Sequence, residues 1–145
     1  IIARGTGMMR GNITELKMID GMREVLIELR RHVDSFGILT SNATANVDLF
    51  LRTHGLRDQF DFISSTSKLT GKAKHLKAIL KTFSLRPGEL LYIGDELRDV
   101  KASQKAGIPI AAVTWGFNSR ESLADSEPEY LFDQPVDFLR LLTER

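Results

Sequence analysis

Apolar positions along the chain alternate between two periods, one of helices and one of buried strands. Asp20 is placed to cap a helix in which Met22, Val25, Leu26 and Leu29 recur at helical spacing. Phe36-Gly37-Ile38-Leu39-Thr40 follows as a short, continuously apolar run, the pattern of a strand covered on both faces of a parallel sheet. Val47, Phe50, Leu51 and His54 predict a second helix that stops at Gly55, and Phe60 to Ser64 predicts a second strand. From Gly71, a stripe of Ala73, Leu76, Leu80 and Phe83 faces a core while Lys74, Lys77 and Lys81 face water. After the Pro87-Gly88 turn come a strand from Glu89 to Ile93, a small-residue helix ending at Gly107, and a strand from Ile110 to Trp115. A weaker strand at Tyr130 to Phe132 precedes a last helix carrying Val136, Phe138, Leu139 and Leu142.

Strands that alternate with helices and read as buried on both faces predict an α/β fold, a doubly wound parallel sheet with right-handed crossovers. Residues 1–18 differ in kind, being basic and punctuated by Gly with no clean period. They are expected to be a linker or the tail of a preceding domain, and residues 19–145 the core.

Composition narrows the partners. Twenty Lys and Arg against 19 Asp and Glu give a formal charge of +1, so nucleic acid and anionic membrane surfaces are not the expected partners. No apolar run reaches the length of about 18 residues that a membrane span requires. The absence of Cys excludes a thiol nucleophile and Cys-ligated metal centres, and fits a cytoplasmic location.

In an open parallel sheet, ligands bind beyond the carboxyl ends of the strands, which makes the residues there the candidates. Thr40, Ser41 and Asn42 end one strand before a helix whose N–H groups and dipole suit an anion, although Ser41 or Asn42 placed there also suits a plain helix cap. Asp95 and Asp99 follow another strand at a spacing of one helical turn, near enough to share a hard cation such as Mg²⁺. Acids at a helix start also complement its dipole, and Glu96 is expected to face solvent. The loop from Ser64 to Lys72 carries five hydroxyl residues and two lysines. Lys72, at the start of a helix, is locally unfavourable without an anionic partner and is preferred over Lys68.

A hydroxyl, a lysine and a carboxylate pair on successive strand ends supply a donor, a fixed cation and a metal site for a phosphoryl group. In this order they resemble the haloacid dehalogenase-like hydrolase superfamily, whose core is Rossmann-like. Gly37-Ile38-Leu39-Thr40-Ser41-Asn42 is similar to its second motif, Gly71-Lys72 to the third, and Gly94-Asp95-Glu96-Leu97-Arg98-Asp99 to the fourth. The stretch from Tyr92 through Ala106-Gly107-Ile108 to Trp115-Gly116-Phe117-Asn118 looks most like the phosphoglycolate-phosphatase-like branch.

The resemblance implies Mg²⁺-dependent hydrolysis of a small phosphorylated metabolite through an aspartyl-phosphate. Ser41 and Asn42 would bind the phosphate and Lys72 would neutralise its charge. Asp95 would be a metal ligand, and Asp99 would support the metal or orient Lys72. Gly116 to Asn118 lie near the same rim, with Trp115 and Phe117 expected to be packing residues. Residues 1–18 would then be the tail of a helical cap.

The superfamily's first motif, Asp-x-Asp on the central strand, has no counterpart, since no two aspartates in the chain stand two apart. The expectation is a core without its central strand, the C-terminal part of a longer enzyme and inactive unless that strand is supplied. The alternatives are a half-enzyme completed by another chain and a non-catalytic module that binds phosphate and Mg²⁺ or serves as a scaffold.

Overall fold

A computed structural model describes residues 2–3, 20–40, 43–65, 72–116 and 118–143. Six parallel strands form one sheet: β1 (Ile2–Ala3), β2 (Gly37–Thr40), β3 (Phe62–Ser65), β4 (Tyr92–Gly94), β5 (Ile110–Val113) and β6 (Tyr130–Phe132). Their order is β3-β2-β1-β4-β5-β6, the doubly wound arrangement that the alternating pattern predicts. Five helices connect them: α1 (Met22–Arg30), α2 (Thr44–Thr53), α3 (Lys72–Thr82), α4 (Leu97–Ala106) and α5 (Arg120–Asp125).

The centre of the sheet differs from expectation. Ile2 pairs with Gly37 on one side and Tyr92 on the other, and Ala3 pairs with Ile38 and Ile93. Two residues of the basic N-terminal stretch therefore occupy the central position between β2 and β4 that was expected to be empty. The physical reason is that backbone groups facing a gap inside a sheet are costly to leave unmatched, and any extended segment can pair with them. The remainder of residues 1–18 lies outside the described residues.

Strand side chains alternate between two cores because successive residues point to opposite faces. Ile38, Ile93, Ala111, Val113 and Phe132 pack on α1, α2 and the C-terminal segment. Leu39, Tyr92, Ile110 and Ala112 pack on α3, α4 and Leu123 of α5. Both apolar runs read as doubly covered strands, β2 and β5, are buried at every position. The Gly107 stop of α4 is a left-handed C-cap with φ of 74°.

Three elements depart from the periodicity. Asp20 does not cap α1, whose N-cap is Gly21. The helix α5 has no apolar repeat to announce it; its signal is the Ser119 side chain, which accepts the Ser122 N–H at 3.2 Å. The expected last helix is a 3₁₀ segment, Pro135–Leu142, that buries Pro135, Phe138 and Leu141. A spacing of three residues per turn is that of a 3₁₀ helix, and it leaves Val136 exposed.

Phe132 joins that segment to the sheet. Its fully buried ring lies edge-on to Phe138 at 5.4 Å, with the Arg140 guanidinium 5.5 Å from its centroid. Phe132→Ala is expected to lower stability by about 3–5 kcal/mol in urea denaturation. A loss below about 1 kcal/mol would show that the 3₁₀ segment does not depend on this ring. Among the described residues, no helix is long and apolar enough to cross a membrane.

Candidate functional site

In the doubly wound order, the chain switches direction across β1, so the carboxyl ends of β2 and β4 flank a crevice. Thr40, fully buried, ends β2. The N-cap of the following helix is Ala43, which has no side-chain acceptor to offer the first N–H groups. Ser41 and Asn42 lie outside the described residues, as do Lys68, Gly71 and Phe117.

Gly94 ends β4, and the first turn of α4 carries the acidic motif. The four-residue spacing brings Asp95 and Asp99 to the same helix start, where each is in a different environment. Asp99 is fully buried. Its Oδ1 accepts from Lys72 Nζ at 2.7 Å and from the Tyr92 hydroxyl at 3.2 Å. Its Oδ2 accepts from the backbone N–H of Asp95 at 3.2 Å and of Glu96 at 3.1 Å. Both oxygens are thus engaged, one of them with the Lys72 ammonium. Lys72, only 9% exposed, reaches across from the first residue of α3. The anionic partner that a lysine at a helix start demands is Asp99.

Asp95 is 6% exposed and sits between α4 and the loop after β5. Its carbonyl accepts the Asn118 N–H at 3.2 Å, while Asn118 Oδ1 accepts the Leu97 N–H at 2.9 Å. Asn118 therefore locks the β5 loop to the start of α4 through both its backbone and its side chain. Trp115 packs edge-on to Phe138 at 5.7 Å, a packing residue as expected.

Glu96 corrects the expectation that it faces solvent, being only 5% exposed. Its Oε2 accepts from Arg98 Nε at 2.6 Å. That hydrogen bond, with the Glu96 charge behind it, holds the Arg98 guanidinium above its ordinary pKa range, and the charge of Asp99 adds to the effect.

Tyr92 is the contributor that sequence patterns indicate least, whereas Asn118 lies in the rim segment that they do indicate. Tyr92 reads as one more apolar strand residue, because its contact with Asp99 runs from a strand to a helix seven residues on. Ser64, at the end of β3, meets His75 of α3 at 2.6 Å, which ties α3 to the same edge of the crevice.

The fit to Mg²⁺ rests on donor chemistry. Among the described residues, no cluster of three or more acidic or His side chains is placed to hold a metal. Asp95 brings a hard oxygen donor to the start of α4. Mg²⁺ commonly takes one or two carboxylates with several waters and a substrate phosphate, so one carboxylate here is compatible with it.

The family model for haloacid dehalogenase-like hydrolases matches residues 7–113. The chain belongs to this family. Within the haloacid dehalogenase-like hydrolases it is similar to a phosphoglycolate phosphatase of Synechococcus elongatus, 35% identical over 129 residues that cover 89% of this chain and 61% of the relative. It is also similar to the pyrophosphatase PpaX of Bacillus cereus, 29% identical, covering 83% of this chain and 57% of the relative. Among solved structures, a haloacid dehalogenase-like hydrolase of Streptococcus pneumoniae superposes with a TM-score of 0.80 at 26% identity, covering 90% of this chain and 62% of the other. The chain thus spans about three-fifths of the length of the relatives it matches. Its two cores and its crevice are those of a haloacid dehalogenase-like fold.

Proposed function

We propose that the chain is the phosphate-binding and charge-neutralising part of a Mg²⁺-dependent phosphate monoester hydrolase acting through an aspartyl-phosphate. The observation that carries this reading is the buried Lys72–Asp99 pair at the mouth of the crevice, 2.7 Å long and braced by Tyr92. A lysine fixed this way presents a positive charge without reorganising when phosphate arrives, which is how a preorganised site stabilises developing charge.

In this reading Ser41 and Asn42 bind phosphoryl oxygens at the start of α2, and Lys72 neutralises them. Asp95 would hold Mg²⁺, which would offset the remaining phosphoryl charge. Asp99 keeps Lys72 in place. The nucleophilic carboxylate has to come from outside these 145 residues, because they contain no Asp-x-Asp. The substrate is a small phosphorylated metabolite, and the enzyme works in the cytoplasm. The substrates named for the two relatives, phosphoglycolate and pyrophosphate, each carry a second anion beside the phosphoryl group, and this chain is proposed to share that substrate class.

Titration calorimetry with inorganic phosphate tests the site on this chain directly. Binding is expected to strengthen with Mg²⁺ and to weaken about tenfold in Ser41→Ala, in line with the loss of one charge-assisted hydrogen bond. Asp95→Asn is expected to remove the Mg²⁺ dependence. Phosphate binding indifferent to both substitutions would overturn the assignment.

A further inference from the structure

The connection that contains α3 starts from β3, at one edge of the sheet, and crosses β2 and β1 to reach β4. Lys72 is the first residue of α3, so its place above the crevice depends on how the first turn of that helix is held. One hold lies on the α4 side, where Lys72 Nζ reaches Asp99 Oδ1 at 2.7 Å. Another lies on the β3 side, where His75 Nε2 stands 2.6 Å from Ser64 Oγ in a partly buried contact. Ser64 is level with Leu39 of β2, and its neighbour Ser65 with Thr40, the last residue of that strand. The contact is therefore made at the carboxyl end of the sheet, where the crevice opens. His75 follows Lys72 by three residues, about 4.5 Å of rise along the helix.

A serine beside a histidine also has the first two members of a nucleophilic site. That chemistry needs a third group to orient the imidazole, and among the described residues His75 meets Ser64 and no such group. A clamp needs only the two. The other end of α3 is tied to the same strand, since the ring of Phe83, just beyond Thr82, lies 5.1 Å from that of Phe62. Attachment at one end leaves a helix free to tilt, and attachment at both ends removes that freedom. Eleven residues make α3 about 16 Å long, so a tilt of about 4° about Phe83 displaces Lys72 by about 1 Å. A shift of that size is enough to undo much of what a preorganised site gains from placement.

We propose that His75, through Ser64, is a positioning residue for the phosphoryl site: it fixes the start of α3 so that the Lys72 ammonium is presented at one place above the crevice. The proposal rests on the phosphate-hydrolase reading for the ligand that Lys72 meets, and on the geometry alone for the placement of Lys72.

The test uses the 145-residue chain labelled with ¹³C at the lysine ε-carbons. The Lys72 resonance, assigned by its loss in Lys72→Arg, reports placement without any ligand. In Ser64→Ala and in His75→Ala it is expected to move toward the resonances of exposed lysines such as Lys74 and Lys77, while calorimetry shows affinity for inorganic phosphate falling about tenfold. The double variant should fall no further than either single one, because both remove the same bond. The proposal is overturned if the Lys72 resonance stays in place in Ser64→Ala, a change small enough to leave the fold intact, or if the two substitutions add. A lower urea midpoint with an unmoved Lys72 resonance overturns it as well, since the pair would then serve stability alone. Failure of the phosphate-site reading looks different: the resonance moves as expected, but inorganic phosphate fails to bind the unaltered chain or binds undiminished in Lys72→Ala.

Discussion

Lys72→Met is expected to destabilise the fold by about 3–5 kcal/mol, the cost of leaving one charge of a buried pair without its partner. Asp99 is fully buried and Lys72 nearly so, and solvent cannot replace the lost ammonium. The Tyr92 hydroxyl and two backbone N–H groups still face the carboxylate, which places the expected loss toward the lower end of that range. For a domain of this length, about 3 kcal/mol lowers Tm by roughly 6–12 °C. The double variant Lys72→Met with Asp99→Asn removes the stranded charge and should recover part of the loss, since Asn still accepts from an N–H group through its amide oxygen. Urea denaturation of the two single variants and the double gives the coupling directly. A coupling below about 0.5 kcal/mol would mean that the 2.7 Å contact does not hold α3 to α4. Loss of phosphate affinity with little loss of stability would instead place Lys72 in binding alone.

Much of this architecture can be read before any coordinates are seen, for a physical reason. Strands covered on both faces need unbroken apolar runs, so Gly37 to Thr40 and Ile110 to Val113 announce themselves. What escapes is whatever depends on a few residues or on contacts between elements. Ile2–Ala3 is too short to show a period, and its place in the sheet is fixed by the β2 and β4 backbones. The 3₁₀ segment at Pro135 shares i, i+3 contacts with an α-helix and parts from it only at the next turn, where Leu141 goes inward and Leu142 is only partly buried.

The site follows the same division. Local spacing placed Asp95 and Asp99 on one turn, and the cost of a cation at a helix start pointed to a partner for Lys72. Neither could indicate that Asp99 turns both oxygens to Lys72, Tyr92 and two N–H groups, because that choice depends on how close α3 approaches β4. Glu96 was misjudged for a related reason. A glutamate at a helix start is ordinarily solvated, and here the capping box at the start of α4 and the Arg98 contact compensate its burial.

Gly116→Ala is expected to disable the metal carboxylate while leaving most of the fold intact. A Cβ at this position would overlap both Cβ and Oδ2 of Asp95, which no side-chain packing accommodates. Asp95 has little room to yield, being buried, with its carbonyl tied to Asn118. Because the Cβ of Asp95 is itself overlapped, rotating the carboxylate is not enough; either Asp95 shifts with its backbone or the loop after β5 retreats, and the loop cannot retreat without straining the Asn118 bond to Leu97. Overpacking of this kind costs about 1–3 kcal/mol. The functional loss should exceed the structural one: the enhancement of phosphate binding by Mg²⁺ is expected to disappear, while any Mg²⁺-independent binding through Lys72 and Ser41 falls much less. Gly88→Ala is the matching control, since a Cβ there meets nothing within 4 Å, and it should leave both stability and binding unchanged. Gly116→Ala with an unaltered Mg²⁺ dependence would show that Asp95 is not the group that holds the cation.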